Sequence, residues 1–390
     1  MFEWIIIGGG IHGCTIANYL IKSGKTKSDN LRIVDPNPEP LFEWKRKTEL
    51  IGMEFLRSPS VHHIDIDPFS LKKYAKYRDK KSFYGPYDRP SLHLFKEHCN
   101  NTINEVDLHN SWVQGKVNNV TKETKSWRVQ TTNDKEIYGE NIVIAISMNH
   151  QLHLPDWVES LNTETEQEQI YHVFDERLTD INKLSPPVTV VGGGITAAHT
   201  TIKLSSLYPG QVTLLKRHPF RINSFDSDPG WLGPKYMSSF QKVKDFDKRR
   251  QLINQARNKG SLPRELYRKL IRLEKNKLIS IIDREVVSGN VINGEGVKLD
   301  LKGGNILFTQ SVLLATGFIA SLPKEKWLTK LIDEKGLQCA KCGYPIVKPS
   351  LEWCNHLYVS GPLSELEIGP VARNISGARK VAERIVSNLN

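Results

Sequence analysis

Trp4-Ile5-Ile6-Ile7-Gly8-Gly9-Gly10-Ile11-His12-Gly13 is the stretch on which the architecture turns. Its four leading apolar residues make a short strand suited to burial on both faces, as in a parallel sheet. Glycines 8, 10 and 13 follow in the spacing G-x-G-x-x-G, and a helix-compatible run from Cys14 to Ser23 comes next. A second apolar strand, Leu31-Arg32-Ile33-Val34, ends in Asp35, 22 residues beyond Gly13. Strand, glycine turn, helix, strand and acid together form a complete βαβ unit for a dinucleotide. Gly8 permits the tight turn, Gly10 lets the backbone approach a pyrophosphate, and Gly13 lets helix and strand pack closely. The helix start offers unpaired N–H groups to the anion, and Asp35 is placed to accept from a ribose 2′-hydroxyl.

The pattern recurs deeper in the chain. Val188-Thr189-Val190-Val191 enters Gly192-Gly193-Gly194-Ile195-Thr196-Ala197, spaced G-x-G-x-x-A. The following strand, Val212-Thr213-Leu214-Leu215, ends not in an acid but in Lys216-Arg217-His218. A cationic strand end attracts a 2′-phosphate that an acid would repel. The first unit is therefore expected to hold FAD through Gly8, Gly10, Gly13 and Asp35. The second is expected to hold NADPH through Gly192, Gly194, Ala197, Lys216 and Arg217.

With 390 residues the chain has room for two to three domains and a sizeable core. Hydrophobic residues make up 39% and charged residues 25%, which excludes disordered and collagenous classes. No run approaches the ~20 apolar residues of a membrane span, so no membrane partner is expected. The net charge of +11 is spread along the chain and suits polyanionic cofactors; no nucleic-acid motif accompanies it. Lys45-Arg46-Lys47 and Lys248-Arg249-Arg250 read as solvated faces. Five cysteines, an odd and low number, argue for a reducing compartment. With a strand at the very start and no signal segment before it, a cytoplasmic protein is expected.

Asn141 to Ser147 and Ser311 to Leu314 read as buried strands, the latter running into Ala315-Thr316-Gly317-Phe318. Leu357 to Gly361 supplies another strand, and a last helix follows from Ile375. The expectation is an α/β chain with two Rossmann-like domains; the two-dinucleotide flavoenzyme architecture it resembles has the FAD domain interrupted by the NADPH domain. Residues 1–150 would begin the FAD domain, residues 185–310 would form the NADPH domain with a helical region at 235–280, and residues 311–390 would complete the FAD domain. Thr316, Gly317 and Gly361 are added to the cofactor-binding set.

As a whole the chain resembles the flavin-dependent N-hydroxylating monooxygenases, the family of ornithine and lysine N-hydroxylases. Met53-Glu54-Phe55-Leu56-Arg57-Ser58-Pro59 stands where that family has Met-Gln and then Phe-Leu-Lys along the flavin and substrate pocket. The family's Asp-x-x-x-Leu-Ala-Thr-Gly-Tyr signature appears as Gln310 to Phe318, with the aspartate and the tyrosine both changed. The resemblance implies NADPH-driven flavin hydroperoxide chemistry, with O2 as co-substrate and a nucleophilic nitrogen or sulfur of a small molecule as acceptor. Amine N-hydroxylation is the leading case, and the family's frequent oligomers make a homo-oligomer an open expectation. Arg57 becomes the candidate catalytic residue. His62 and His63 are candidates for proton transfer near neutral pH, and Glu365 and Glu367 for hydrogen bonds to flavin or substrate. Trp231, in Asp228-Pro229-Gly230-Trp231, is a candidate lid, whereas Asn374 and Arg379 read as braces.

Other readings stay open. The pair Cys339-x-x-Cys342 suggests a disulfide reductase or another FAD/NAD(P)H oxidoreductase or oxidase, but it follows the Ala-Thr-Gly strand, an unusual place for a redox pair in this architecture. Cys339, Cys342, Cys354 and His356 are ligand types zinc accepts. Because Cys354 and His356 run straight into a strand, no metal is expected. A non-catalytic flavin- or nucleotide-binding sensor or scaffold is the alternative from outside the enzymes.

Overall fold

The computed structural model describes residues 1–76, 82–148, 151–161, 169–292 and 295–389. The leading strand, Phe2–Ile7, lies in the middle of an eight-stranded sheet. It pairs in parallel with Leu31–Asp35 on one side (Trp4 opposite Leu31) and with Glu136–Ile144 on the other (Trp4 opposite Asn141). Trp112–Gln114 extends the sheet beyond Leu31–Asp35, and Leu357–Val359 extends it beyond Glu136–Ile144. Side chains of a strand alternate between faces, and the sequence Trp-Ile-Ile-Ile has an apolar residue for each. Trp4 and Ile6 enter a core shared with Leu20, Phe95 and Val381, whereas Ile5 and Ile7 enter one shared with Trp127, Trp327 and Leu331. The helices Ile11–Lys22 and Ile375–Ser387 cover the first face together.

A second, five-stranded parallel sheet repeats the plan in the order Ser280–Asp283, Val212–Lys216, Val188–Val191, Ser311–Leu314, Ile170–His172. The helices Ile195–Leu207 and Arg264–Lys275 pack together over one face. The antiparallel meander Val286–Ile292, Gly296–Leu301, Ile306–Thr309 covers the other, with Val297, Leu299 and Leu301 meeting Leu215, Val312 and Leu314. Between strand Val212–Lys216 and strand Ser280–Asp283 come the helices Pro234–Lys242, Phe246–Ala256 and Arg264–Lys275, in the expected helical region.

The expected boundaries shift at two places. Ser311–Leu314 pairs with Val188–Val191 and so belongs to the second sheet, as does Ile170–His172, upstream of residue 185. The chain passes between the units through two connections lying side by side. Leu152 bridges Phe318 in antiparallel fashion, and the Ile319 N–H donates to Gln151 O at 2.8 Å. The first sheet is completed by the returning strand Leu357–Val359. Among the described residues no helix is long and apolar enough to cross a membrane.

Buried histidines accumulate in this fold. Burial, the largest cause in each case, lowers His12, His98, His172 and His199 to about 4 and His63 to about 3. A histidine whose folded pKa lies below its ordinary 6.5 contributes stability that is complete above that value. The contribution is lost as pH falls towards the folded value, because only the unfolded chain takes the proton. The urea midpoint should therefore fall between about pH 7 and about pH 5, by about 1.4 kcal/mol of stability per pH unit for each proton taken up on unfolding. A midpoint unchanged over that range would contradict the buried neutral state of these rings.

Candidate functional site

The first glycine of each loop is shaped by the strand beside it. Gly8 has φ +104°, and a Cβ there would stand 2.7 Å from the Ala145 carbonyl oxygen. At Gly192, with φ +151°, the corresponding distance to Ala315 O is 2.6 Å. In each unit the glycine N–H donates across to the second strand, Gly8 to Val34 O and Gly192 to Leu215 O, both at 2.9 Å. A Cβ at Gly13 would meet the Gly8 carbonyl oxygen at 1.9 Å, so helix and turn touch as the spacing implied. The second unit admits the buried Ala197 at the equivalent place.

The middle glycines differ. A Cβ at Gly10 would meet nothing within 4 Å, which leaves an open face at the start of helix Ile11–Lys22. No side chain caps that helix and no acid lies in its first turn, so its N–H groups are available to an anion. Gly194 instead faces Gly260, whose Cα would lie 3.3 Å from a Cβ there. Its missing side chain is used by that neighbouring loop. Gly9 is glycine for a further reason: a Cβ would stand 2.0 Å from the Trp112 ring. Trp112, which sequence reasoning passed over, stands beside the loop, its indole N–H donating to Asn37 O at 3.1 Å.

Asp35 accepts from the Gly9 N–H through Oδ2 at 2.7 Å and from Asn37 N and Nδ2 through Oδ1 at 2.9 and 2.8 Å. A carboxylate offers about four acceptor positions, so room for a ribose hydroxyl remains. His12 Nδ1 lies 2.8 Å from Ser360 Oγ, and Gly361 (φ +62°) packs against the His12 ring. The turn after the last strand is thereby tied to the first glycine loop. Gly8, Gly10, Gly13, Asp35 and Gly361 are therefore gathered at the ends of the strands, around an open, uncapped helix start with an acid beyond it. These features fit FAD.

Elsewhere the structure departs from expectation. Arg57, expected to be catalytic, is hydrogen-bonded to the second unit. Its Nε donates to Ser224 O at 3.1 Å and its Nη1 to Asp226 at 2.5 Å, while Nη2 reaches Asn223 O, Phe225 O and Ser261 Oγ. Every guanidinium nitrogen is committed to the second unit. His62 and His63 do not titrate near neutrality, because burial, seconded by neighbouring charges, lowers them to about 4 and about 3. Arg379 braces their loop, donating to the carbonyls of His63, Asp65 and Ile66. Thr316 donates to His153 O, and Gly317 O accepts from His153 N at 3.0 Å and from His172 Nε2 at 3.1 Å. Both residues thus hold the connection between units. Lys216 is buried and bonded to Asp283 at 2.7 Å, whereas Arg217 is exposed and forms no ion pair among the described residues.

Glu365 and Glu367, expected at flavin or substrate, are buried among arginines. Arg250, Arg257 and Arg373 converge on Glu365, and Arg249 and Arg384 on Glu367. Burial alone would raise the Glu365 carboxyl, but Arg257, Arg373 and Arg250 outweigh it and hold the group below the usual carboxylate range. Arg249 and Arg250 are thus not a solvated face. They fasten the helical region to the segment that precedes the last helix. Trp231 packs on Tyr236, Phe240 and Gly369 in the same junction, docked as a connector against the C-terminal segment.

Beside Met53 a cleft of 760 Å³ opens, lined by Glu54, Phe55, Phe83, Tyr84 and Leu92. The cysteines stay apart from it. Burial first, and then Cys342, push the Cys339 thiol up. His356 Nδ1 faces Asn141 Oδ1 at 2.8 Å, and among the described residues no three His, Cys, Asp or Glu side chains gather as a metal site.

Residues 5–149 match the family described as FAD-NAD(P)-binding. Comparison with curated protein sequences finds no match. Solved structures match over the whole chain. The cadaverine monooxygenase of Erwinia amylovora, bound to FAD, superposes with a TM-score of 0.77 at 16% identity, covering 100% of this chain and 95% of its own. The ornithine N-hydroxylase of Kutzneria sp. 744, with reduced FAD, NADP+ and L-ornithine, gives 0.75 at 14% identity over 99% and 98%. The bacillithiol disulfide reductase of Staphylococcus aureus gives 0.60 at 15% over 100% and 99%. At these identities the likeness is one of fold: two parallel-sheet units, the first interrupted by the second.

Two substitutions probe the crevice and its fastening. Asp35→Ala should weaken FAD retention by about tenfold or more, read as flavin content after dialysis; wild-type content would remove Asp35 from the site. Glu365→Ala leaves three arginines without their carboxylate and should cost about 3–5 kcal/mol in a denaturant titration. A loss near the ~0.5 kcal/mol of a surface change would mean that the cluster does not fasten the helical region.

Proposed function

We propose that the chain is an FAD-dependent, NADPH-consuming monooxygenase that oxygenates a nucleophilic nitrogen or sulfur of a small molecule, a primary amine first among them. The observation that carries this reading is the whole-chain match, helical region included, to the cadaverine and ornithine enzymes, at TM-scores of 0.77 and 0.75. The crevice at Gly8, Gly10, Gly13, Asp35 and Gly361 would take FAD, and the loop from Gly192 with the strand end at Lys216 and Arg217 the nicotinamide nucleotide. Bound FAD supplies the oxygen activation; the residues of the chain bind, orient and exclude water.

Those duties match the side chains present. Asp35 holds a ribose, and the uncapped start of helix Ile11–Lys22 faces a pyrophosphate. The Glu365 and Glu367 clusters keep the helical region against the C-terminal segment. The cleft beside Met53, with Phe55 and Tyr84 at 5.2 Å from each other, is the place we assign to the substrate. No protein nucleophile is required. Disulfide reduction is the weaker reading, because Cys339 and Cys342 follow the Ala-Thr-Gly strand and neither thiol lines the cleft beside Met53. All five cysteines are free thiols, which suits the cytoplasm.

Flavin-loaded protein supplied with NADPH and O2 tests the proposal across a panel of diamines, basic amino acids and thioethers. Oxygenated product formed in step with NADPH consumption is expected for at least one amine. Oxidation of NADPH with all oxygen recovered as hydrogen peroxide across the panel would replace the monooxygenase by an oxidase. A protein that retains FAD but never oxidises NADPH would favour a sensor or scaffold.

A further inference from the structure

The two units place different chemistry at the same topological point. In the first, the second and third strands end side by side at Asp35 and Gln114, which are register partners. In the second, the register partners at the corresponding ends are Lys216 and Asp283. An acid is therefore present at the second nucleotide unit after all, displaced by one strand from where sequence reading looks for it. Lys216 Nζ donates to Asp283 Oδ2 at 2.7 Å and to His218 O at 3.2 Å, and lies 4.7 Å over the Phe220 ring. The lysine side chain is 6% exposed and the aspartate 46%, so a nucleotide arriving at this edge meets the carboxylate before the ammonium. Arg217, the next residue, is exposed and forms no ion pair among the described residues.

Building on the nucleotide part of the proposed function, we propose that Asp283 is a specificity-determining residue of the second unit. It accepts from the ribose hydroxyl of an unphosphorylated nicotinamide dinucleotide and holds Lys216 away from a 2′-phosphate. Recognition of the phosphate then rests on Arg217, and the unit takes NADPH and NADH with weak discrimination. The physical basis is a competition. A 2′-phosphate and a carboxylate contend for the same ammonium, and like charges at this separation repel. A free 2′-hydroxyl meets no such penalty and gains a charged acceptor.

Isothermal titration of NADP+ and NAD+ into the flavin-loaded protein reads this directly, without turnover. Wild-type dissociation constants should lie within about tenfold of each other. Asp283→Asn should move their ratio towards NADP+ by about tenfold or more, chiefly by tightening NADP+. Arg217→Ser should move the ratio the other way. Asp283→Ser serves as the second variant if the amide disturbs folding, flavin content and melting temperature being checked for each. Equal shifts for the two nucleotides in the Asp283 variants would overturn the proposal alone, as would a wild type that already discriminates by about a hundredfold. Binding of neither nucleotide to wild type would overturn it together with the nicotinamide part of the proposed function.

Discussion

In both halves of the molecule a peptide carbonyl sits where the Cβ of the first loop residue would otherwise stand. Ala145 O closes over Gly8, and Ala315 O closes over Gly192, each less than 3 Å from the position a Cβ would take. The Ala145 N–H donates to Ile7 O and the Ala315 N–H to Val191 O, both at 2.8 Å, so the strand that leaves each sheet is bonded to the strand that enters its loop. This contact fixes the crevice at the strand ends. It also fixes where the chain crosses between units, because the two connections begin immediately after these alanines. A side chain at either glycine would separate the exit strand from the loop and open the nucleotide crevice and the connection together.

A second constraint is electrostatic. The helical region is not part of either parallel sheet, and its hold on the C-terminal segment comes from two buried glutamates and the arginines around them, over an apolar cluster of Met237, Phe240, Ile253 and Leu366. Such a network makes a small net contribution while intact and a large penalty when one partner is lost. It fastens the helices to the segment that precedes the last helix. Arg57 does the same from the opposite direction, reaching from the Met53 segment into the loop 223–226. Guanidinium groups thus join Leu50, which enters the second unit's apolar core, and the paired connections at Leu152 and Phe318 in holding the two units together.

The duplicated fold was legible because its signals are local. A strand, a glycine spacing and a helix occupy consecutive residues, and Trp4 to Ile7 carries enough apolar side chains to be buried on both faces. The same local reading misjudged partners. Lys248-Arg249-Arg250 looked solvated because Glu365, which binds Arg250, is 115 residues away. Ser311 to Leu314 read as a strand of the first domain because a run of apolar residues states that it is buried, not which sheet buries it. His62 and His63 looked titratable because nothing in their neighbourhood of sequence reports the burial that neutralises them.

By itself the amino-acid sequence determined that this chain folds with two nucleotide-binding units; their nesting came from the resemblance and from the strand pairing. Glycine positions and strand lengths are short-range constraints that few other folds satisfy. Only the tertiary structure decided what the charged residues do. Arg57 became a hydrogen-bond donor to the second unit, Glu365 the centre of an arginine cluster, and Lys216 the partner of Asp283. A charge finds its partner through space, and in a parallel sheet the residue at the next strand's end lies far along the chain, 67 positions from Lys216 to Asp283.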